Sequence, residues 1–165
     1  MKPDPSLFDK NFVQNLIDQV AKDTGRPFYS DYLLDLFDAI DGPGGGGYQL
    51  QKVVIDGRAA GGTVDGSMSN IGNQNPPTVL ISPNVYFNPI FLEYNQTGYI
   101  STALHETIHL APAQGWYSDR DLARATINLG GLKQTDVDQF NNISPNDSWG
   151  FSAFWDRILN RHCRE

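Results

Sequence analysis

The chain is poor in cysteine, glutamate and histidine: its 165 residues include one cysteine, three glutamates and three histidines. The single Cys163 excludes a disulfide within the chain. Lysine and arginine number 12 against 19 acidic residues, and no basic stripe could neutralise nucleic-acid phosphates. No apolar run approaches the ~18 residues that a membrane-spanning helix requires. We therefore expect neither nucleic acid nor a membrane span among the partners of this protein.

The composition favours an extracellular or cell-surface protein that is part of a longer precursor, because glycine, asparagine and tyrosine are abundant while lysine and glutamate are few. The first residues are not followed by the apolar segment of a signal peptide. A cytoplasmic location therefore stays open, and there Cys163 would be a simple thiol. In a secreted protein the partner of Cys163 would lie outside this chain. We expect a monomer.

The length suits one domain spanning residues 1–165, and the pattern predicts an α+β fold in three parts. Residues 1–43 show helical periodicity and are predicted to form a helical lead-in. Residues 48–82 are predicted to form a small, mainly antiparallel sheet. Residues 98–165 are predicted to form a helical half, because capping and stop residues separate successive helical runs.

The predicted sheet is built around one turn. The runs Tyr48–Ile55 and Arg58–Val64 flank Asp56-Gly57, a dipeptide typical of two-residue hairpins. The short apolar run Thr78–Ser82 is the predicted third strand, because the following proline would end it.

Residues 105–109 read His-Glu-Thr-Ile-His. On a helix His105 and His109 are one turn apart, so both imidazoles project toward one point. Two neutral imidazoles at this spacing can bind Zn²⁺, with Glu106 beside the metal as general base. In a shuffled chain of this composition the pattern arises in roughly 0.07% of cases, because histidine and glutamate are rare. The alternative is a helix whose histidines fall four apart on a polar face.

The residues that flank the motif strengthen its likeness to a known family signature. Between Thr102 and Ala111 only the motif residues ionise, and Leu104 and Ile108 supply an apolar stripe on which the helix can dock. This segment resembles the zincin metallopeptidase signature over about a dozen residues. The resemblance implies a zincin-like fold whose active-site helix carries the metal, and a zinc-dependent peptidase.

Catalytic zinc takes three protein ligands and leaves a fourth position to water, and zincin families differ in the source of the third ligand. The position of the third metzincin histidine, six residues past the second motif histidine, is Gly115 here. The downstream glutamate of gluzincins could only be Glu165, the last residue. His162 stays a candidate, although a basic residue near a helix end needs no metal to explain it.

Asp119 is the predicted third ligand. It follows breaks at Pro112 and Gly115, which let the chain turn back toward the motif. Residues 115–119 read Gly-Trp-Tyr-Ser-Asp and resemble the aspzincin group, in which an aspartate after a glycine-containing turn completes the site. Here the glycine precedes the aspartate by four residues and no Tyr-Gly pair follows, so the match is aspzincin-like. Asp121, which also stands at a helix-capping position, is the alternative ligand.

The predicted function is hydrolysis of peptide bonds. Zinc would lower the pKa of a bound water toward ~7, and Glu106 would accept the proton and pass it to the departing amine. Tyr117, with Tyr99 behind it, is the predicted donor to the developing oxyanion. An extended peptide or protein substrate could pair with the predicted edge strand Thr78–Ser82.

Two other functions stay open. The same site could hydrolyse a non-peptide amide or a cell-wall peptide. Alternatively, the chain is a non-catalytic module of a larger surface protein that uses zinc only structurally. The presence of Glu106 favours catalysis, because a structural zinc site has no need of a general base.

Overall fold

The structure is a computed structural model that describes residues 4–29, 33–42, 45–66, 84–87, 96–113 and 115–163. Within these ranges a 3₁₀ turn at Pro5–Leu7 precedes six α-helices: α1 Lys10–Thr24, α2 Leu33–Asp41, α3 Gln96–His109, α4 Asp119–Leu129, α5 Gln134–Asn141 and α6 Ser148–Asn160. The same ranges hold five short strands: β1 Gly47–Leu50, β2 Val54–Ile55, β3 Arg58–Ala59, β4 Gly62–Asp65 and β5 Asn84–Phe87. The predicted α+β class is confirmed.

Helix α1 shows how local sequence sets the bounds of an element. The Asp9 side chain accepts a hydrogen bond from the Phe12 N–H at 3.1 Å, and Gly25 ends the helix in the left-handed conformation with φ 68°. The buried side chains of α1 recur at helical spacing and are Val13, Leu16, Ile17 and Val20. They face α4, so the helical lead-in shares one core with the helical half.

Among the described strands, β5 lies between β1 and β4 in a three-stranded sheet. Strand β1 is parallel to β5, with Tyr48 opposite Val85, whereas β4 is antiparallel to β5, with Val64 opposite Val85. Strands β2 and β3 form a separate antiparallel hairpin through Asp56 and Gly57. The φ angles of 52° and 75° at these two residues are those of a tight two-residue turn.

The pairing of the sheet differs from the prediction of two long hairpin strands. The hairpin ladder closes at the bond from the Ala60 N–H to the Val53 carbonyl, 3.0 Å, and beyond it β1 and β4 each pair with β5 instead of with each other. Partner choice between strands depends on distant packing, which local alternation does not report. Two of the three described strand pairs are antiparallel, in line with the expected sheet. The predicted strand Thr78–Ser82 lies outside the described residues.

Helix α3 packs against both the sheet and helix α6. Strands β4 and β5 contact it from one direction and α6 from another, while α6 packs on α4 and α4 on α1. Ile100, Leu104 and Ile108 of α3 are buried in the common core, which is the docking stripe expected from the sequence. The part of the chain that the structure describes contains no helix long and apolar enough to cross a membrane.

Candidate metal centre

Helix α3 presents the two motif histidines at its C-terminal end. His105 and His109 lie one turn apart, their ring centroids 5.0 Å from each other, while the neighbouring apolar face of the helix is anchored in the core. The helix ends at His109, and the Leu110 and Ala111 N–H groups close a final tighter turn on the carbonyls of residues 107 and 108. The second histidine therefore stands where the chain can change direction.

A double link returns the chain from α3 to the site. The Tyr117 N–H donates to the His109 carbonyl at 3.0 Å, and the His109 Nδ1–H donates to the Tyr117 carbonyl at 2.6 Å. Between them Gly115 has a φ of 71°, a conformation that other residues rarely adopt. The turn thus places Ser118, the N-cap of α4, and the first residue of that helix, Asp119, beside the histidines.

Asp119 joins the two imidazoles. Its Oδ1 lies 3.2 Å from His105 Nε2 and 3.1 Å from His109 Nε2, and the three ligand atoms form a group that could hold a metal ion. Ligands at 2.0–2.1 Å from a tetrahedral zinc lie roughly 3.3 Å from one another. The observed separations match an edge of such a tetrahedron, so the donor set fits a small divalent cation.

Each imidazole is held from behind by a hydrogen-bond acceptor. His105 Nδ1 lies 3.2 Å from Asp156 Oδ1 on α6, and His109 Nδ1 bonds to the Tyr117 carbonyl. Metal-binding histidines usually donate their second ring N–H to such partners, which fixes the tautomer and aims the other nitrogen at the metal. Both Nε2 atoms are therefore the nitrogens aimed at Asp119.

Hydrogen-bond counting shows that a positive charge belongs between these groups. A neutral imidazole has one N–H, yet in both rings each nitrogen faces an acceptor. The shared atom, Asp119 Oδ1, also accepts a bond of 2.8 Å from the Trp155 indole N–H. Either a second proton on each ring or a metal ion on the two Nε2 atoms removes the conflict between acceptors.

The ionisation of the cluster follows from the same contacts. Burial opposes a charge on His105, but the hydrogen bonds to Asp119 and Asp156 outweigh burial and raise the pKa of His105 to about 10 without metal. Burial would likewise raise the pKa of Asp119, yet the bonds from both histidines hold it well below the usual aspartate range. Metal-free, the site is a charged cluster in which Asp119 stays ionised.

Glu106 lies beside the triad and is buried, with an exposed fraction of 8%. Its Oε1 is 3.9 Å from His105 Nε2. Glu106 therefore lies next to the group of three candidate ligands but does not belong to it. Burial raises the pKa of the Glu106 carboxyl, because loss of hydration disfavours the charged form. A buried carboxyl of raised pKa next to a cation site is placed to accept a proton and return it.

The centre opens onto a cleft of about 710 Å³ between β4 and α6. Gly62 of β4 stands directly against Glu106: a Cβ at residue 62 would come 2.8 Å from Glu106 Cγ and 2.6 Å from the Tyr86 carbonyl oxygen. Only glycine allows the strand to lie so close to the motif helix. Strand β4 therefore forms a wall of the cleft next to the ionisable residues.

The predicted oxyanion donor Tyr117 reaches the centre through its backbone. Its ring is fully buried and its hydroxyl donates to the Arg26 carbonyl at 2.9 Å. Burial raises the pKa of Tyr117 to about 12. The hydroxyl would have to break this hydrogen bond before it could donate to an oxyanion. The role of Tyr117 as oxyanion donor therefore stays a prediction. The side chain of Tyr99 lies outside the described part of the chain.

The alternative ligands lie elsewhere or outside the description. His162 stacks on Phe12 with ring centroids 3.6 Å apart and lies 3.6 Å from Asp9, away from the centre. The Asp121 N–H donates to Ser118 Oγ at 3.1 Å, as expected of the capping position, and its carboxylate belongs to no metal-binding group among the described residues. The remaining two glutamates, at positions 93 and 165, are outside the described residues.

Sequence reasoning missed the contribution of α6. Trp155 contacts both histidines and Asp156 contacts His105, while Ser152 Oγ lies 3.4 Å from His105 Nε2. Ser152 and Asp156 are one turn apart on a helix whose other face is aromatic core. That polar pair is the signal that could have placed α6 at the site.

Comparison with protein-family models, with curated proteins and with solved structures found no match to this chain.

Proposed function

We propose that the protein is a zinc-dependent hydrolase, and specifically a metallopeptidase with a zincin-like site. The observation that carries the proposal is the convergence of His105 Nε2, His109 Nε2 and Asp119 Oδ1, with the buried carboxyl of Glu106 beside them. Two imidazoles, one carboxylate and an adjacent acid form the donor set of a catalytic zinc site that keeps one position open.

The three converging side chains would hold the metal, and the acceptors behind the imidazoles would keep the rings in place. Bound zinc would supply a Lewis acid and lower the pKa of water toward ~7. Zinc is favoured over calcium or magnesium because two of the three donors are imidazole nitrogens.

Glu106 would act as the general base. Its carboxylate would take a proton from the attacking water and then deliver it to the nitrogen of the departing amine. Burial supports this role in two ways: it raises the pKa of the carboxyl above its ordinary value, and it shields the carboxyl from competing water. A purely structural zinc site would leave this buried acid without a use.

The shape of the cleft supports an extended substrate. Strand β4 is at the edge of the described sheet and lines the cleft above Glu106. An extended peptide alongside β4 would gain main-chain hydrogen bonds and bring one carbonyl to the metal. Among the described residues β4 is the strand that could pair with a peptide in this way, while the predicted edge strand Thr78–Ser82 lies outside them, and an exposed strand edge favours a peptide over a small amide.

The experiment combines metal analysis with a cleavage assay. We expect about one zinc ion per chain and cleavage of a mixed peptide library that stops when a chelator removes the metal. Glu106→Gln should keep the zinc and lower kcat/KM by about 10²–10⁴-fold, because it removes only the base. His109→Ala should lose both zinc and activity.

The third histidine provides the matched control. His162→Ala removes an imidazole that lies away from the centre, so it should keep full zinc content and activity. Protein that takes up no transition metal would refute the metal site. Zinc-loaded protein that cleaves no peptide in the library would refute the peptidase and leave the metal site standing.

A further inference from the structure

Two arginines line the cleft near the start of α6. The guanidinium of Arg58, on β3, lies over the Trp149 ring with Cζ 4.1 Å from the centroid. Arg120, next to the proposed metal ligand, has its Cζ 6.0 Å from the Phe151 centroid. Both side chains are exposed, and within the described ranges neither forms an ion pair with a carboxylate. In a chain of net charge −7, this pair of arginines stands out.

The acidic groups that the described residues contribute to the same cleft are already occupied. Asp119 receives bonds from both imidazoles and from an indole, Asp156 holds His105, and Glu106 is buried against the centre. None of the three is placed to neutralise an arginine at the mouth of the cleft. The charge that the cleft offers to a bound molecule is therefore positive on this side.

Helix α6 connects the stacked arginine with the metal centre. Ser152 contacts His105 Nε2 at 3.4 Å, and Trp149 precedes Ser152 by three residues, which is roughly 4.5 Å along a helix axis. An extended substrate advances ~3.3 Å per residue. Arg58 and the candidate metal centre therefore lie in the same cleft, beside neighbouring turns of α6 and within reach of one extended substrate.

We infer that Arg58, stacked on Trp149 and assisted by Arg120, binds a carboxylate of an extended substrate whose scissile bond lies at the metal. Stacking covers one face of the guanidinium and leaves its N–H edge free to grip a carboxylate with two parallel bonds. The carboxylate can belong to an aspartate or glutamate side chain or to the C-terminus of the peptide. This inference deepens the proposed function and rests on it.

The test measures binding separately from cleavage. Zinc-loaded Glu106→Gln protein is titrated with short fluorescein-labelled peptides of alanine and leucine that carry one glutamate, one glutamine or one lysine at matched positions. We expect the glutamate peptide to bind roughly fivefold more tightly than the glutamine peptide, the size of a contact with an exposed charge. A second pair, with a free or an amidated C-terminus, distinguishes the two sources of carboxylate.

Variants assign the preference to the arginines. Adding Arg58→Gln should remove most of the preference, and Arg58→Glu should turn it toward the lysine peptide, a reversal that misfolding cannot imitate. Arg124→Gln is the control: Arg124 is one turn further along α4, its Cζ is also 6.0 Å from a phenylalanine ring, and it does not line the cleft. Arg120→Gln should weaken the preference, whereas Arg124→Gln should leave it unchanged.

The outcomes separate this inference from the proposed function. Equal binding of all peptides, no binding of any, or a preference that survives Arg58→Glu would overturn the carboxylate site. Selective binding of carboxylate peptides that the wild-type protein does not hydrolyse would uphold the carboxylate site and refute the peptidase.

Discussion

Two aspartates in the first turns of neighbouring helices are both held by side chains of α6 or of its C-cap residue Arg161, but by partners of different kinds. Asp136, in α5, accepts bonds from Arg157 at 3.1 Å and from both terminal nitrogens of Arg161 at 2.9 Å. Asp119, in α4, accepts one bond from Trp155 and faces two imidazoles. Arginine is charged at every working pH, whereas an imidazole is charged only when it holds two protons.

The difference distinguishes a structural contact from a candidate metal site. The Asp136 cluster is complete, because the chain itself supplies the positive charge that a buried carboxylate requires. The Asp119 cluster is complete only when protons or a metal ion supply that charge. A protein that needed Asp119 solely to join α4 to α6 could have used arginine there too, as it does around Asp136.

The sharpest way to break this comparison is to remove each aspartate in turn. Asp119→Ala should weaken zinc binding by at least about a hundredfold, because a two-histidine site remains. Asp136→Ala should leave zinc binding unchanged and lower the melting temperature, because it removes the carboxylate that Arg157 and Arg161 share. Zinc titration and thermal unfolding of both variants give the result. Equal zinc affinity in the two variants would show that Asp119 is not a ligand.

Much of the fold could be predicted where local chemistry decides it. Helix α1 begins after Asp9 and ends at Gly25, and helix α4 begins after Ser118 and ends at Gly130. Helix α6 begins after Asp147. Each of these ends is set by a capping side chain or a glycine of positive φ within a few residues. The partners of β1 and β4 could not be predicted, because the alternation of a strand does not state which other strand it will join. Short-range signals therefore served the helices better than the sheet.

The candidate site divides in the same way. His105, Glu106 and His109 follow from helical spacing, and Asp119 was placed by its distance from the motif and by an aspzincin-like resemblance. Asp156 bonds to His105 across 51 residues of sequence, and no local pattern joins the two. The residues of the candidate metal group could be predicted from the sequence. The group that orients His105 could not, because its position depends on how α6 docks on α3.

Asp156 offers a second, smaller way to sharpen the comparison. It holds the ring of His105, whereas the ring of His109 is held by a backbone carbonyl that no substitution removes. Asp156→Ala should therefore weaken zinc binding about 10–100-fold without abolishing it. Asp156→Asn, which keeps an acceptor oxygen, should recover part of the loss. Zinc affinities measured by competition with a chromophoric chelator test this. An unchanged affinity in Asp156→Ala would show that the contact does not orient the ring.

The smallest expected effect is a difference in pH dependence between the two aspartate clusters. Hydrogen bonds from Arg161, opposed by burial, lower the pKa of Asp136 to about 2. An unfolded aspartate titrates near ~3.9, so the stability from the Asp136 cluster is fully present above about pH 4 and is lost as the pH falls toward 2. Asp136→Asn should remove that acid-dependent part of the unfolding curve, with or without zinc.

The Asp119 cluster should respond in the opposite range. Although burial acts against it, the pKa of His105 is about 10 in the metal-free protein, so its stabilising charge is complete below about pH 6.5 and is lost as the pH rises toward 10. Zinc must displace that proton. Zinc affinity should therefore fall about tenfold for each unit by which the pH is lowered, for each proton released. Calorimetric titration with zinc near pH 7, in buffers of different ionisation enthalpy, should report at least one proton released per metal ion. A binding heat that does not depend on the buffer would mean that zinc displaces no proton, and that the imidazoles of the metal-free protein are already neutral.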